Sequence, residues 1–122
     1  MYKSILKLML PLIGLTAGFT HADEFKLKST DIAHGAFMKN TFEFQGFGCS
    51  GENKSPQLSW SGAPAGTQAY AIMAYDPDAP TGSGWWHWQV VNIPADVTSL
   101  AAGAGNPDNT KIPKGAQHIE ND

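Results

Sequence analysis

Hydrophobic and polar residues alternate with a period of two in several short stretches of this chain. Such alternation is typical of β-strands with one buried face. It predicts strands over residues 25–28, 41–44 and 57–60. Glycine and proline separate these stretches, and we find no stretch with the period of an amphipathic helix. The pattern therefore favours an all-β domain.

Two longer apolar stretches predict the central strands. Residues 68–75 are apolar at both odd and even positions, which predicts a strand covered on both faces. Residues 86–93 form the next strand, and it ends at Pro94 because proline cannot donate to a strand ladder. Regularly spaced strands without helices indicate a β-sandwich or barrel. From residue 101 onward, glycine, asparagine, proline and lysine predict a loop that closes no sheet.

The first 22 residues have the pattern of a cleaved secretory signal peptide. Lys3 and Lys7 precede an apolar run over residues 8–19, and the segment ends in the small residue Ala22. The run is too short to cross a bilayer as a helix. We expect a single domain over residues 23–122, located in the periplasm or secreted, without a transmembrane segment after signal removal. A buried N-terminal core helix is the alternative.

Charge excludes some classes of partner. After residue 22 the chain has eleven acidic residues, six lysines and no arginine, a net charge of −5 (6 − 11). Nucleic-acid binding depends on phosphate neutralisation by lysine and arginine, so we expect no nucleic-acid partner. The same acidity disfavours attraction to anionic membrane surfaces.

One segment, residues 75–88 (YDPDAPTGSGWWHW), carries the candidate chemistry. Asp76 and Asp78 follow one apolar strand, while Trp85 and His87 begin the next. If the two strands pair antiparallel, these residues meet at one end of the sheet. Carboxylates, an imidazole and indole faces are suited to recognising a phosphate, a carboxylate or an amine. Alternatively, the segment is an ordinary turn flanked by core tryptophans and a core histidine.

The same segment resembles the signature of the phosphatidylethanolamine-binding protein family, in its bacterial Raf-kinase-inhibitor-like branch. The motifs that carry the resemblance are DPDAP at 76–80, GSGWWHW at 82–88, VVNIP at 90–94, FGCSGENKSPQLSW at 47–60 and GAPAGT at 62–67. The resemblance implies an all-β, antiparallel two-sheet sandwich with a small anion-accepting pocket at one rim. It covers most of residues 25–122.

The resemblance also implies the site. The ligand-binding residues would be Asp76, Asp78, Ala79, Pro80, Trp85 and His87. The aspartates would be pocket carboxylates, His87 the family's first pocket histidine and Trp85 a wall. The Ala79-Pro80 bond is a candidate cis peptide, because such bonds occur in tight turns. We expect a small phosphorylated or carboxylated ligand such as phosphoethanolamine, no cofactor and no catalytic residue.

Family members continue beyond position 122, into a loop similar to YGGPCPP and a strand similar to HRY that supplies a second histidine. We therefore expect a C-terminally truncated sandwich. Cys49 is the chain's only cysteine, which in an exported protein indicates an absent partner, an intermolecular bridge or a free thiol. An oxidising compartment favours half of a disulfide. The resemblance places its partner in the PCP loop.

Other functions stay open. Residues 76–88 could instead contact a partner protein, as in an inhibitor of a kinase or protease, and a truncated product could be non-functional. An enzyme is a weaker alternative, because Ser50 lacks a nucleophile elbow and no histidine is placed beside Cys49. We expect no metal site, because His34, His87 and His118 lack ligand spacing.

Overall fold

A computed structural model describes residues 24–108 and 110–120 of the chain. The predicted signal peptide lies outside the described residues. Within them the chain forms eight short β-strands and no α-helix. The strands are β1 Lys26–Lys28, β2 Gln45–Gly46, β3 Cys49–Ser50, β4 Leu58–Ser61, β5 Ala69–Asp76, β6 Trp85–Pro94, β7 Ser99–Leu100 and β8 Gln117–His118. In this part of the chain, no helix is long and apolar enough to span a membrane.

The strands form two three-stranded antiparallel sheets and one small hairpin. The first sheet has the order β1-β4-β7, the second has the order β5-β6-β8, and β2 pairs with β3. The core contains Trp60 and Leu100 from the first sheet, Val90 and Ile93 from the second, and Ala104 from the chain after β7. Burying apolar side chains from both sheets in one cluster is what joins them into a sandwich. The predicted all-β, antiparallel two-sheet sandwich is thus confirmed.

Strand β6 contains two bulges, and one of them decides which side chains reach the core. From Trp85 to Ile93 it advances eight residues, while β5 advances six residues from Tyr70 to Asp76, opposite the same stretch. One irregularity includes Asn92, which has a left-handed φ of 55°. Val90 and Ile93 would point to opposite faces of a regular strand, yet both are 0% exposed. The bulge allows both side chains into the core.

Strand β5 corrects one prediction. Its burial alternates, with Tyr70 and Ile72 half-buried and packed against the core. On the opposite face, Met73 is 53% and Tyr75 is 46% exposed. The prediction that both faces are covered is therefore wrong for the described residues. Apolar composition alone does not reveal that the opposing layer packs against only one face.

The segment over residues 41–44 is not the predicted strand. It begins as a 3-10 turn, Asn40–Phe42, in which the Phe42 amide donates to the Lys39 carbonyl at 3.0 Å. A Cβ atom at Gly51 would lie 2.4 Å from the Asn40 carbonyl oxygen and 2.2 Å from that of Glu43. Glycine lets the two backbones approach closely, so tertiary packing overrides the alternation of Phe42 and the residues around it.

Four two-residue strands are not apparent from the sequence pattern. The predicted strands at 25–28, 57–60, 68–75 and 86–93 are confirmed within one residue at each end, but β2, β3, β7 and β8 were not predicted. Strand β8 pairs with β6 through His118 opposite Val90, so the prediction that no strand follows residue 101 is wrong. A two-residue strand is too short to show a period, and its partner defines it.

Candidate functional site

The six predicted ligand residues lie where β5 ends and β6 begins. Asp76, the last residue of β5, is directly opposite Trp85, the first residue of β6. The connecting loop contains Asp78, Ala79 and Pro80. We call the six residues Asp76, Asp78, Ala79, Pro80, Trp85 and His87 the rim. The antiparallel hairpin brings the rim together because its members flank a single loop.

A bulge in β6 positions His87. Trp88 is opposite Ala74 and Trp86 is opposite Tyr75, so His87 is the additional residue of β6 between two successive pairs. A bulge changes the direction of the side chain that it carries. The His87 Nε2 atom lies 3.6 Å from the Asp76 Oδ2 atom. The bulge therefore accounts for an imidazole and a carboxylate on one side of the hairpin end.

The Asp76 carboxylate is oriented by the loop that follows it. Its Oδ1 atom accepts a hydrogen bond from the Asp78 amide at 2.9 Å, while Oδ2 faces His87. At 3.6 Å the contact with His87 is too long for a direct hydrogen bond, and it is an ion pair only when the imidazole is protonated. The His87 and Asp76 side chains are 57% and 43% exposed. A ligand therefore has access to both groups.

A second set of contacts holds the loop in place. The Tyr75 hydroxyl donates to the Ser83 carbonyl at 2.7 Å, and the Tyr75 ring packs on Trp86 with centroids 4.5 Å apart. Gly84 is buried directly beneath this tyrosine with a left-handed φ of 75°. The Thr81 hydroxyl donates to the Gly84 carbonyl. The sequence does not reveal these supports, because the contacts of Tyr75 with Ser83 and Trp86 depend on how the loop folds back on β5.

The remaining rim residues differ in exposure. Trp85 and Ala79 are half-buried, whereas Asp78 and Pro80 are exposed. The Ala79 carbonyl accepts the Thr81 amide at 2.7 Å, which closes a tight turn. The described residues contain no cis peptide bond, so the prediction of a cis Ala79-Pro80 bond is wrong. Other elements of the loop supply the turn, including the left-handed Gly82 and Gly84.

Cys49, His34 and His118 are distant from the rim residues along the chain. Cys49 is an exposed free thiol in the β2–β3 hairpin. Over residues 24–108 and 110–120, no three histidine, cysteine, aspartate or glutamate side chains are grouped closely enough to hold a metal ion. His118 lies in β8, on the opposite edge of β6 from β5.

Taken together, the fold and the rim define a class: an antiparallel β-sandwich with an exposed carboxylate, imidazole and indole at one end of its longest hairpin. The sequence profile of the phosphatidylethanolamine-binding protein family matches residues 28–122. The chain therefore belongs to this family, in the branch that includes YbcL and YbhB.

Individual relatives agree with this assignment. The chain is 54% identical over 101 residues to the Escherichia coli UPF0098 protein YbcL, covering 83% of this chain and 55% of that protein. It is 51% identical over 81 residues to YbhB of the same organism, covering 66% and 51%. The crystal structure of E. coli YbcL, described as a new member of the mammalian PEBP family, superposes with a TM-score of 0.75 at 57% identity over 76% of this chain and 57% of that one. The chain spans about half the length of these relatives.

Proposed function

We propose that this protein is an exported, non-enzymatic binding protein that holds a small anionic ligand at the rim. The observation that carries the proposal is that the His87 Nε2 atom lies 3.6 Å from the Asp76 Oδ2 atom at an exposed hairpin end. Both groups sit on backbone positions set by strand pairing and a bulge, so they are oriented before any ligand arrives.

The chemistry favours a ligand that carries both an oxyanion and a hydrogen-bond donor. A protonated His87 can donate to a phosphate or carboxylate oxygen. The Asp76 carboxylate would repel a simple anion but accepts hydrogen bonds from an ammonium or a protonated phosphate. The Trp85 indole offers an apolar wall whose face attracts an ammonium. Phosphoethanolamine combines these groups in one small molecule.

Phosphoethanolamine titration followed by tryptophan fluorescence tests the proposal. We expect saturable binding by the unmodified chain, since Trp85 belongs to the rim. His87→Ala and Asp76→Ala should each weaken binding by about tenfold, because each removes one hydrogen-bonding group from the rim. Circular dichroism should show that both variants keep the fold, since both side chains are substantially exposed.

Matched controls separate the rim from the general charge of the protein. Asp96 is exposed just beyond Pro94, at the opposite end of β6 from Trp85, so Asp96→Ala removes the same charge far from the rim. His34→Ala removes an exposed histidine. Both controls should bind within about twofold of the unmodified chain. Unchanged phosphoethanolamine affinity in both His87→Ala and Asp76→Ala would refute the proposal.

Export is proposed from residues 1–22 alone. Fractionation of producing cells, followed by N-terminal sequencing, should find a mature chain that begins near Asp23 outside the cytoplasm. Full-length protein retained in the cytoplasm would contradict export without affecting the rim.

One observation favours a second function, inhibition of a partner protein. Residues 77, 78 and 80–83 of the loop are all exposed, so the loop is accessible to a protein surface as well as to a small ligand. If phosphoethanolamine gives no response with folded protein, and a captured partner is lost on substitution of Asp78 or Pro80, inhibition becomes the better explanation.

A further inference from the structure

A polar cavity is lined by residues outside the rim. It has a volume of about 190 Å³ and lies between the 3-10 turn, the chain preceding β4 and the chain following β7. Its lining residues are Asp31, Lys39, Thr41, Phe42, Lys54 and Ala102. None of them belongs to the rim.

Three lysines lie at or beside this cavity in an otherwise acidic protein. Lys39 and Lys54 line it, and the Lys111 Nζ atom donates to the carbonyl of Ala102, another lining residue, at 3.4 Å. The two ion pairs found in the described part of the chain are Lys26 with Glu24 and His87 with Asp76. Within that part, no carboxylate therefore lies within ion-pair distance of Lys39 or Lys54. Their charges are available to a ligand.

One oxygen of the single carboxylate in the lining already accepts a hydrogen bond. The Asp31 Oδ2 atom accepts a hydrogen bond from the Gln57 amide at 2.7 Å. This bond ties the carboxylate to the backbone at the start of β4, and it accounts for an acidic residue at this position. Thr41 adds a hydroxyl, which can donate to an oxyanion.

Backbone hydrogen bonds hold the walls of the cavity together. The Lys54 amide donates to the Thr41 carbonyl at 3.3 Å, and the Gly103 amide donates to the Ser55 carbonyl at 2.8 Å. Gly51 packs tightly against the carbonyls of the 3-10 turn. The lysines are thus carried on segments that are already joined, which lowers the ordering cost of binding.

We infer that this cavity binds a small oxyanion, a phosphate or a carboxylate, independently of the rim. Lysine ammonium groups act as point charges toward such ligands and do not require the planar fork of arginine, which this chain lacks. The inference goes beyond the rim function, and the two succeed or fail separately.

Titration of the ¹⁵N-labelled chain with sodium phosphate, monitored by amide chemical shifts at constant ionic strength, tests this inference. A parallel titration with sodium succinate distinguishes phosphate from carboxylate ligands. We expect saturable shifts of the Thr41, Lys54 and Ala102 amides with at least one of the two. Shifts no larger than those produced by sodium chloride would overturn the inference.

Charge-removing variants provide the second test. Lys39→Gln and Lys54→Gln should each weaken binding by about fivefold. The control Lys114→Gln removes the same charge from an exposed residue outside the lining, and it should change the affinity by less than about twofold. Equal effects of all three would indicate general charge and refute the site. His87→Ala should leave these shifts unchanged, so a failed rim proposal remains distinguishable. If Lys54→Gln disturbs the fold, the Lys39→Gln variant still tests the site, because Lys39 is exposed.

Discussion

Replacing Gly84 by alanine should destabilise the protein more than the same change at Gly82 in the same loop. Both glycines have left-handed φ angles, 75° at Gly84 and 79° at Gly82. An added Cβ atom at Gly84 would lie 2.2 Å from the Tyr75 hydroxyl and 2.5 Å from its ring, whereas nothing lies within 4 Å of a Cβ atom at Gly82. The pair separates backbone strain from steric conflict.

The expected magnitudes follow from these contacts. The left-handed conformation alone costs an alanine about 1–2 kcal/mol, and this is the whole effect expected at Gly82. At Gly84 the Tyr75 side chain must also move. It then loses its hydrogen bond to Ser83, about 1 kcal/mol, and its packing on Trp86, about another 1 kcal/mol. We expect Gly84→Ala to lower the free energy of unfolding by about 3–4 kcal/mol.

Urea unfolding monitored by tryptophan fluorescence measures the difference. With the m values of small domains, about 2 kcal/mol between the two variants separates their urea midpoints by about 1 M. In a Tyr75→Ala background the steric part should disappear, and Gly84→Ala should then cost no more than Gly82→Ala. Equal midpoints in the original background would refute the role assigned to Tyr75.

Two further predictions concern β6 and its neighbour. Ile93→Ala should lower the free energy of unfolding by about 2–5 kcal/mol, because Ile93 is 0% exposed in the core. Met73→Ala, at a side chain that is 53% exposed, should cost less than about 1 kcal/mol. Similar urea midpoints for the two variants would contradict the assigned core. Asn92→Gly should change the free energy of unfolding by less than about 1 kcal/mol, because glycine readily adopts the left-handed φ of 55° found at this position. Asn92→Val should lower it by about 1–2 kcal/mol, because valine is poorly suited to that conformation. Equal thermal midpoints for the two Asn92 variants would argue against this bulge.

The proximity of the rim residues was predictable from the sequence because they are close along the chain. Asp76 and Trp85 are joined by one short loop, so any antiparallel pairing of the flanking strands brings them together. The strands at 57–60 and 86–93 were likewise predictable, since each is long enough to show alternation or a continuous apolar run. Such local features depend little on the rest of the fold.

The bulge at His87 was decided by tertiary structure. Residues 85–88 read WWHW, and every side chain is aromatic, so no alternation could reveal an additional residue. The covered face of β5 was similarly hidden, because Tyr70 and Met73 are both apolar while only the side bearing Tyr70 packs on the core.

The cavity lined by Lys39 and Lys54 is the feature that local sequence patterns reveal least. The residues Asp31, Lys39, Lys54 and Ala102 come from three separate parts of the chain, and of the four only Lys54 belongs to a motif recognised in the sequence. Their proximity depends on long-range backbone hydrogen bonds, such as that between Gly103 and Ser55. Local patterns therefore determined the β class and the proximity of the rim residues, while non-local packing decided register, exposure and the cavity lined by Lys39 and Lys54.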